Sequence, residues 1–133
     1  MPYLNVRIAG EQSPELAARV AASLSRLTCE ILGKKPEVTS VAVDFVDPKL
    51  WFVGGGDMDA RDSTTFYLDI KVTEGTNTKA EKARYVDAVF RELGGILGAL
   101  TAASYIVIHD VRADAWGFQG KTQEYRFVQA HSL

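Results

Sequence analysis

The feature that most constrains this chain is that it repeats itself. Residues 2–8, Pro-Tyr-Leu-Asn-Val-Arg-Ile, alternate about Leu4, Val6 and Ile8, and residues 66–72, Phe-Tyr-Leu-Asp-Ile-Lys-Val, alternate about Leu68, Ile70 and Val72. A period of two is the mark of a strand with one buried face. The shift between these segments is 64 residues. One extra residue in the following loop makes it 65, which superposes Gly10 on Gly75, Leu32 on Leu97, Gly33 on Gly98, Val46 on Val111, Trp51 on Trp116 and Gly55 on Gly120. The matches fall at turns and apolar positions, where structure restricts residue type most.

Each half reads strand, helix, strand. In the first, Ser13 is a good N-cap with Pro14 at the favoured first position, and Leu16, Val20, Leu24, Leu27 and Ile31 form an apolar stripe that Gly33 is placed to end. In the second, Thr78 and Glu81 have capping-box spacing, and Val86, Val89, Leu93 and Leu97 are the expected stripe. The closing strands, 39–46 and 104–111, are rich in β-branched residues. A strand-helix-strand unit with a long crossover makes its two strands parallel. Two units side by side predict an α+β, two-layer fold: one domain over 1–133, with repeat one at about 2–63 and repeat two at about 64–133, forming a four-stranded sheet with two helices on one face. The other face is expected to carry Tyr3, Phe45 and Tyr67 and to be covered by further copies of the chain, in a closed homo-oligomer.

Composition narrows the functional classes. Fifteen basic and 17 acidic residues leave a net charge of -2, which offers no electrostatic attraction to nucleic acid or to an acidic membrane. The N-terminus lacks the basic and apolar regions of a signal peptide, and no apolar run approaches the ~20 residues that span a bilayer. The single Cys29, expected as a buried thiol, suits a reducing compartment; a cytoplasmic location is expected. His109 and His131 have no metal-ligand spacing around them, and Gly54-Gly55-Gly56 lacks the lysine of a phosphate loop.

Four segments carry a family resemblance: Met1-Pro2 leading straight into a strand; Leu32-Gly33-Lys34, then Pro36 and Ser40-Val41-Ala42-Val43; Trp51-Phe52-Val53-Gly54-Gly55-Gly56; and Asp114-Ala115-Trp116-Gly117-Phe118. In this order and with an internal duplication, the chain resembles the tautomerase superfamily, which includes 4-oxalocrotonate tautomerase and macrophage migration inhibitory factor. The resemblance is to its fused two-repeat members and implies a trimer. It also implies that Pro2, exposed by removal of Met1, acts as general base, with Lys34 holding a substrate carboxylate. Tyr105 matches a pocket tyrosine donated by a neighbouring subunit, and Phe52, Trp116 and Phe118 match aromatic wall positions.

The implied activity is keto-enol tautomerisation of a small 2-keto carboxylate, with no metal or organic cofactor. Decarboxylation, dehalogenation, hydration and non-catalytic ligand binding are the alternatives on this fold. A secondary amine in an apolar pocket, near a cation, loses basicity and approaches the working pH, which is what a general base needs. Two family arginines are missing: Ala42 stands at one position, and Thr76 at the other, after Glu74-Gly75. A monocarboxylate such as an arylpyruvate therefore fits better than a dicarboxylate. The residue matching Pro2 in the second repeat is Phe66, which has no free amine, so one site per chain is expected.

Overall fold

The computed structural model describes residues 1–131. Strand β1 (Tyr3–Ala9) leads to helix α1 (Pro14–Leu32), strand β2 (Ser40–Val46) and a small hairpin, β3 (Phe52–Val53) with β4 (Gly56–Asp57). The order then recurs: β5 (Phe66–Thr73), α2 (Lys79–Leu97), β6 (Tyr105–Val111) and the hairpin β7 (Gly117–Phe118) with β8 (Lys121–Thr122). A third helix, α3 (Gln123–Ala130), follows, which the sequence periodicity had not suggested. The sheet order is β2-β1-β5-β6; the outer pairs are parallel and β1 and β5 run antiparallel.

In the central pair Asn5 lies opposite Asp69, its own counterpart in the repeat. A local twofold axis therefore passes between them and exchanges the two halves. Two side-chain pairs obey it: Asn5 Nδ2 donates to Asp44 Oδ2 at 3.0 Å, and the matching residues Asp69 and His109 meet through Oδ1 and Nε2 at 2.5 Å.

Helix ends form as their residues dictate. Ser13 Oγ accepts from Leu16 N at 3.2 Å at the start of α1, and Gly33, at φ 69°, closes it by donating to Cys29 O at 3.1 Å. That left-handed conformation is the one glycine adopts without steric cost. At α2 the capping box is complete: Glu81 N donates to Thr78 Oγ1 at 3.1 Å and Thr78 N to Glu81 Oε1 at 2.7 Å.

The core lies between the helices and the sheet. Val20, Leu24, Leu27 and Leu32 from α1 and Tyr85, Val89 and Leu93 from α2 cover Leu4, Val6, Ile8, Phe66, Leu68, Ile70 and Val72. The α2 stripe runs through Tyr85 at steps of four, and Val86, expected in it, is 37% exposed. Phe45 also differs from expectation. It pairs with buried Ile8 and packs on the helix side, because residues opposite one another in paired strands share a face. The free face instead alternates through Tyr3, Asn5 and Arg7 on β1 and Tyr67, Asp69 and Lys71 on β5, so it is aromatic and charged rather than simply apolar. Cys29 is only partly buried, with Sγ 3.9 Å from Thr39 Oγ1. Among the described residues no helix is long and apolar enough to cross a membrane.

One polar contact joins the helices inside this core. Thr28 Oγ1 lies 2.9 Å from the Tyr85 hydroxyl and also donates to Leu24 O at 2.6 Å, with both residues fully buried. Burial pushes the Tyr85 phenol up to about 12, so it stays a neutral hydrogen-bonding group. Thr28→Val leaves that hydroxyl without its partner and is expected to cost about 1–3 kcal/mol in denaturant unfolding. The double variant Thr28→Val/Tyr85→Phe, which removes both polar groups, is expected to recover part of that loss.

Candidate active site

Pro2 is buried immediately before β1, where its carbonyl accepts from Ser40 N at 3.2 Å and so anchors the start of β2. Because β1 and β5 are antiparallel, this end of β1 meets the C-terminal end of β5: Tyr3 pairs with Lys71. Three loops converge here, following α1, β5 and β6.

Gly33 turns the chain out of α1 and delivers Lys34 to this end, where its Nζ donates to Thr76 Oγ1 at 2.8 Å. Thr76 Oγ1 in turn donates to Thr73 O at 2.6 Å, and Asn77 Nδ2 donates to Leu32 O at 2.9 Å. The loop after β5 is thus tied to the end of α1. Burial pushes the Lys34 ammonium below the usual lysine range, while Glu81 and Asp110 pull it upward. Asp110 is itself paired with Lys82 at 2.5 Å. The α-amine of Met1 lies in the same field. Burial holds it below its ordinary value, and the positive charges of Lys34 and Lys35 push it further down.

Trp116 closes the third side. A 3-10 turn over Ala113–Ala115 presents it, and its main-chain carbonyl accepts from Gln123 N at 2.8 Å at the start of α3. Its indole Nε1 donates to Met1 O at 2.8 Å. Met1 O belongs to the peptide group that carries the Pro2 nitrogen, so the indole N–H points at the bond whose cleavage frees that amine.

Three of the six residues singled out in the sequence, Pro2, Lys34 and Trp116, therefore gather at one end of the sheet. The other three do not join them within one chain. Phe52, 60% exposed, borders a cavity shared with Trp51, Arg7 and Tyr67 toward the opposite end of β1. Tyr105 starts β6 opposite Tyr67, whereas the Pro2 end of that strand is near His109; four residues of strand separate the two, about 13 Å. Tyr105 is 58% exposed, so contact with Pro2 requires a second copy of the chain. Phe118 is engaged by α3: the Arg126 guanidinium lies 4.7 Å from its ring, and Arg126 Nε donates to its carbonyl at 3.2 Å.

Sequence reading had passed over Thr76 and Asp110 as site residues. The signal for Thr76 was its place after Glu74-Gly75, where a cation was expected; the structure puts there a hydroxyl that holds the cation Lys34. Among the described residues no group of three or more His, Cys, Asp or Glu side chains is arranged to hold a metal ion.

Comparison with known proteins places this geometry in a family. A family model described as "Tautomerase enzyme" matches residues 67–125, within the second repeat. Probable tautomerase K2 of Dickeya dadantii (strain 3937) is 32% identical over 62 residues, 46% of this chain and 92% of the relative. Among solved structures, a fused 4-OT wild-type asymmetric trimer superposes with a TM-score of 0.81 at 19% identity, covering 94% of this chain and 98% of that one. Pt0534 inactivated by 2-oxo-3-pentynoate superposes with a TM-score of 0.82 at 12% identity, covering 93% and 98%. At these identities the structural matches speak for the fold, and the sequence relative for descent. The chain belongs to the tautomerase superfamily.

Proposed function

We propose that this chain, after removal of Met1, is a cofactor-independent keto-enol tautomerase of a small 2-keto carboxylate, with Pro2 as its general base. The observation that carries the reading is the environment of the terminal amine: Pro2 is buried, and the adjoining α-amine is held below its ordinary basicity by burial and by Lys34. A proline amine placed there is neutral in a larger fraction of molecules near neutral pH than the same amine in water.

In the proposed reaction the Pro2 nitrogen takes a proton from the carbon beside the ketone. The C–H electron pair forms the enolate double bond, and the carbonyl oxygen takes up the negative charge. The Trp116 N–H, released from Met1 O, donates to that oxygen, where the charge develops. Lys34 holds the carboxylate. Return of the proton to oxygen gives the enol, and ketonisation runs the same steps backwards. Lys34, held in place by Thr76 in a site walled by an indole, suits a monocarboxylate such as an arylpyruvate. Support for a keto-acid ligand comes from the neighbour Pt0534, which 2-oxo-3-pentynoate inactivates.

The proposed working unit is a homotrimer of single-domain, two-repeat chains. Its support is the trimeric fused neighbour and the exposure of Leu50, Phe52, Tyr105 and Phe127, between 58% and 71%. With Phe66 in place of the second amine, such a trimer has three active sites.

Intact mass is the first test: the reading requires mature protein that has lost Met1. Phenylpyruvate ketonisation is the second. Pro2→Ala is expected to lower kcat/KM by about 10²-fold or more; an equal rate in both proteins would sink the mechanism. Lys34→Gln removes a positive charge beside the base, so the amine pKa rises. The rising limb of the pH-rate profile is then expected to move to higher pH, together with an increase in KM. Trp116→Phe keeps an apolar ring but loses the donor. A fall of about tenfold in kcat/KM is expected, the worth of one ordinary hydrogen bond, with the limb of the pH profile unmoved.

A further inference from the structure

Lys34 is anchored by a neutral group. Its Nζ donates to Thr76 Oγ1 at 2.8 Å, and among the described residues no carboxylate forms an ion pair with it. The acids whose charge reaches it are engaged elsewhere: Asp110 by Lys82 at 2.5 Å, and Glu81 by the Thr78 N–H at 2.7 Å. A carboxylate seated on the ammonium would cancel the charge that an incoming anion needs. A hydroxyl engages one ammonium hydrogen, leaves the others for a ligand and leaves the charge in place.

The loop that carries Thr76 is fixed on both sides. Before it, Glu74 N donates to Val111 O at 2.8 Å; after it, Asn77 Nδ2 donates to Leu32 O at 2.9 Å. Gly75, at φ 79°, makes the turn between these anchors. Asn77 Nδ2 also lies 3.4 Å from Glu81 Oε1, so the capping box of α2 supports the loop from behind. Leu32 is two residues ahead of Lys34. One loop therefore holds both the main chain from which Lys34 springs and the ammonium at its tip.

We infer that Thr76 is a positioning residue of the site: it holds the Lys34 ammonium, already oriented, where the substrate carboxylate docks. The inference rests on the role of Lys34 proposed above. A lysine stem is flexible, and a ligand that had to fix it would bind more weakly by the rotamer freedom lost; here that freedom is lost on folding. The accepted hydrogen bond also favours the charged form, against the burial that lowers the basicity of Lys34.

Binding of phenylacetate, which has no ketone to react, reads this role without Pro2 chemistry. Titration of the full-length assembled protein, followed by ligand nuclear magnetic resonance, is expected to saturate with a Kd of about 1 mM. Thr76→Val is expected to raise the Kd about tenfold, and Thr76→Ser, which keeps the hydroxyl, to stay within about threefold of the original value. Lys34→Met weakens binding by itself, and adding Thr76→Val to it is expected to change nothing further, because the hydroxyl acts through the ammonium. In phenylpyruvate ketonisation Thr76→Val is expected to raise KM by the same factor as the Kd, with kcat within about twofold. A residue that only shapes the loop would weaken binding equally with and without Lys34. Three outcomes overturn the inference: no saturable binding, an unchanged Kd in Thr76→Val, or an equal further loss when Thr76→Val is added to Lys34→Met. A Pro2→Ala protein as active as the original would sink the proton transfer proposed for Pro2, and the titration would still decide on Thr76.

Discussion

The antiparallel pairing of β1 with β5 is the interaction on which the rest of the molecule depends. Among the described residues it is the only strand pairing in the main sheet that joins the two repeats. Each repeat by itself is a parallel strand pair under one helix, with half a core. Setting Asn5 opposite Asp69 fixes the register between them. A slip of one residue would turn Leu4, Val6 and Ile8 out to solvent and Tyr3, Asn5 and Arg7 into the core. The same register brings the loop after β5 to the end of α1, where Thr76 receives the Lys34 ammonium and Asn77 caps a carbonyl of the helix. The candidate site is therefore made at the seam between the repeats, from the first strand of one and the loops of both.

What was legible in the sequence was whatever a local rule determines. Strand alternation, the Ser13-Pro14 start, the capping box and Gly33 each act over a few residues, and each appears in the structure where the sequence puts it. The site was legible in part for the same reason: Pro2, Lys34 and Trp116 sit just outside elements whose ends are locally encoded. The errors lie where one step of parity decides. Phe45 belongs to the helix side because of its partner Ile8, a fact of pairing that residue type does not carry. Phe52 lies away from Pro2 within one chain: the repeat aligns Trp51 with Trp116, and a twofold axis sends the two tryptophans to opposite ends, taking Phe52 with Trp51. Helix α3 was passed over although Thr122 caps it locally by accepting from Tyr125 N at 3.0 Å; it is only eight residues long, and its apolar Tyr125, Phe127 and Val128 are exposed rather than gathered into a buried stripe.

The duplication also sets the division of labour between the ends. The shared strand pattern gives both the same scaffold, down to the matching pairs Asn5–Asp44 and Asp69–His109. The family model matches the second repeat, whereas Pro2 belongs to the first. Only a chain terminus carries a free α-amine, so symmetry of the backbone is compatible with asymmetry of the chemistry. The residues reflect this. At the Pro2 end Lys34 is held by Thr76 close to the Met1 amine, while across the axis Phe66 stands at the position matching Pro2.

The sheet order has one more consequence. With β1 and β5 inside, both outer strands, β2 and β6, present an unpaired main-chain edge among the described residues. The local twofold makes these edges near-equivalents on opposite flanks. In the language of polymers, the chain is a divalent monomer. Joined flank to flank, divalent units either curl into a ring of fixed number or grow without limit, and only the angle between successive units separates a soluble particle from a fibre.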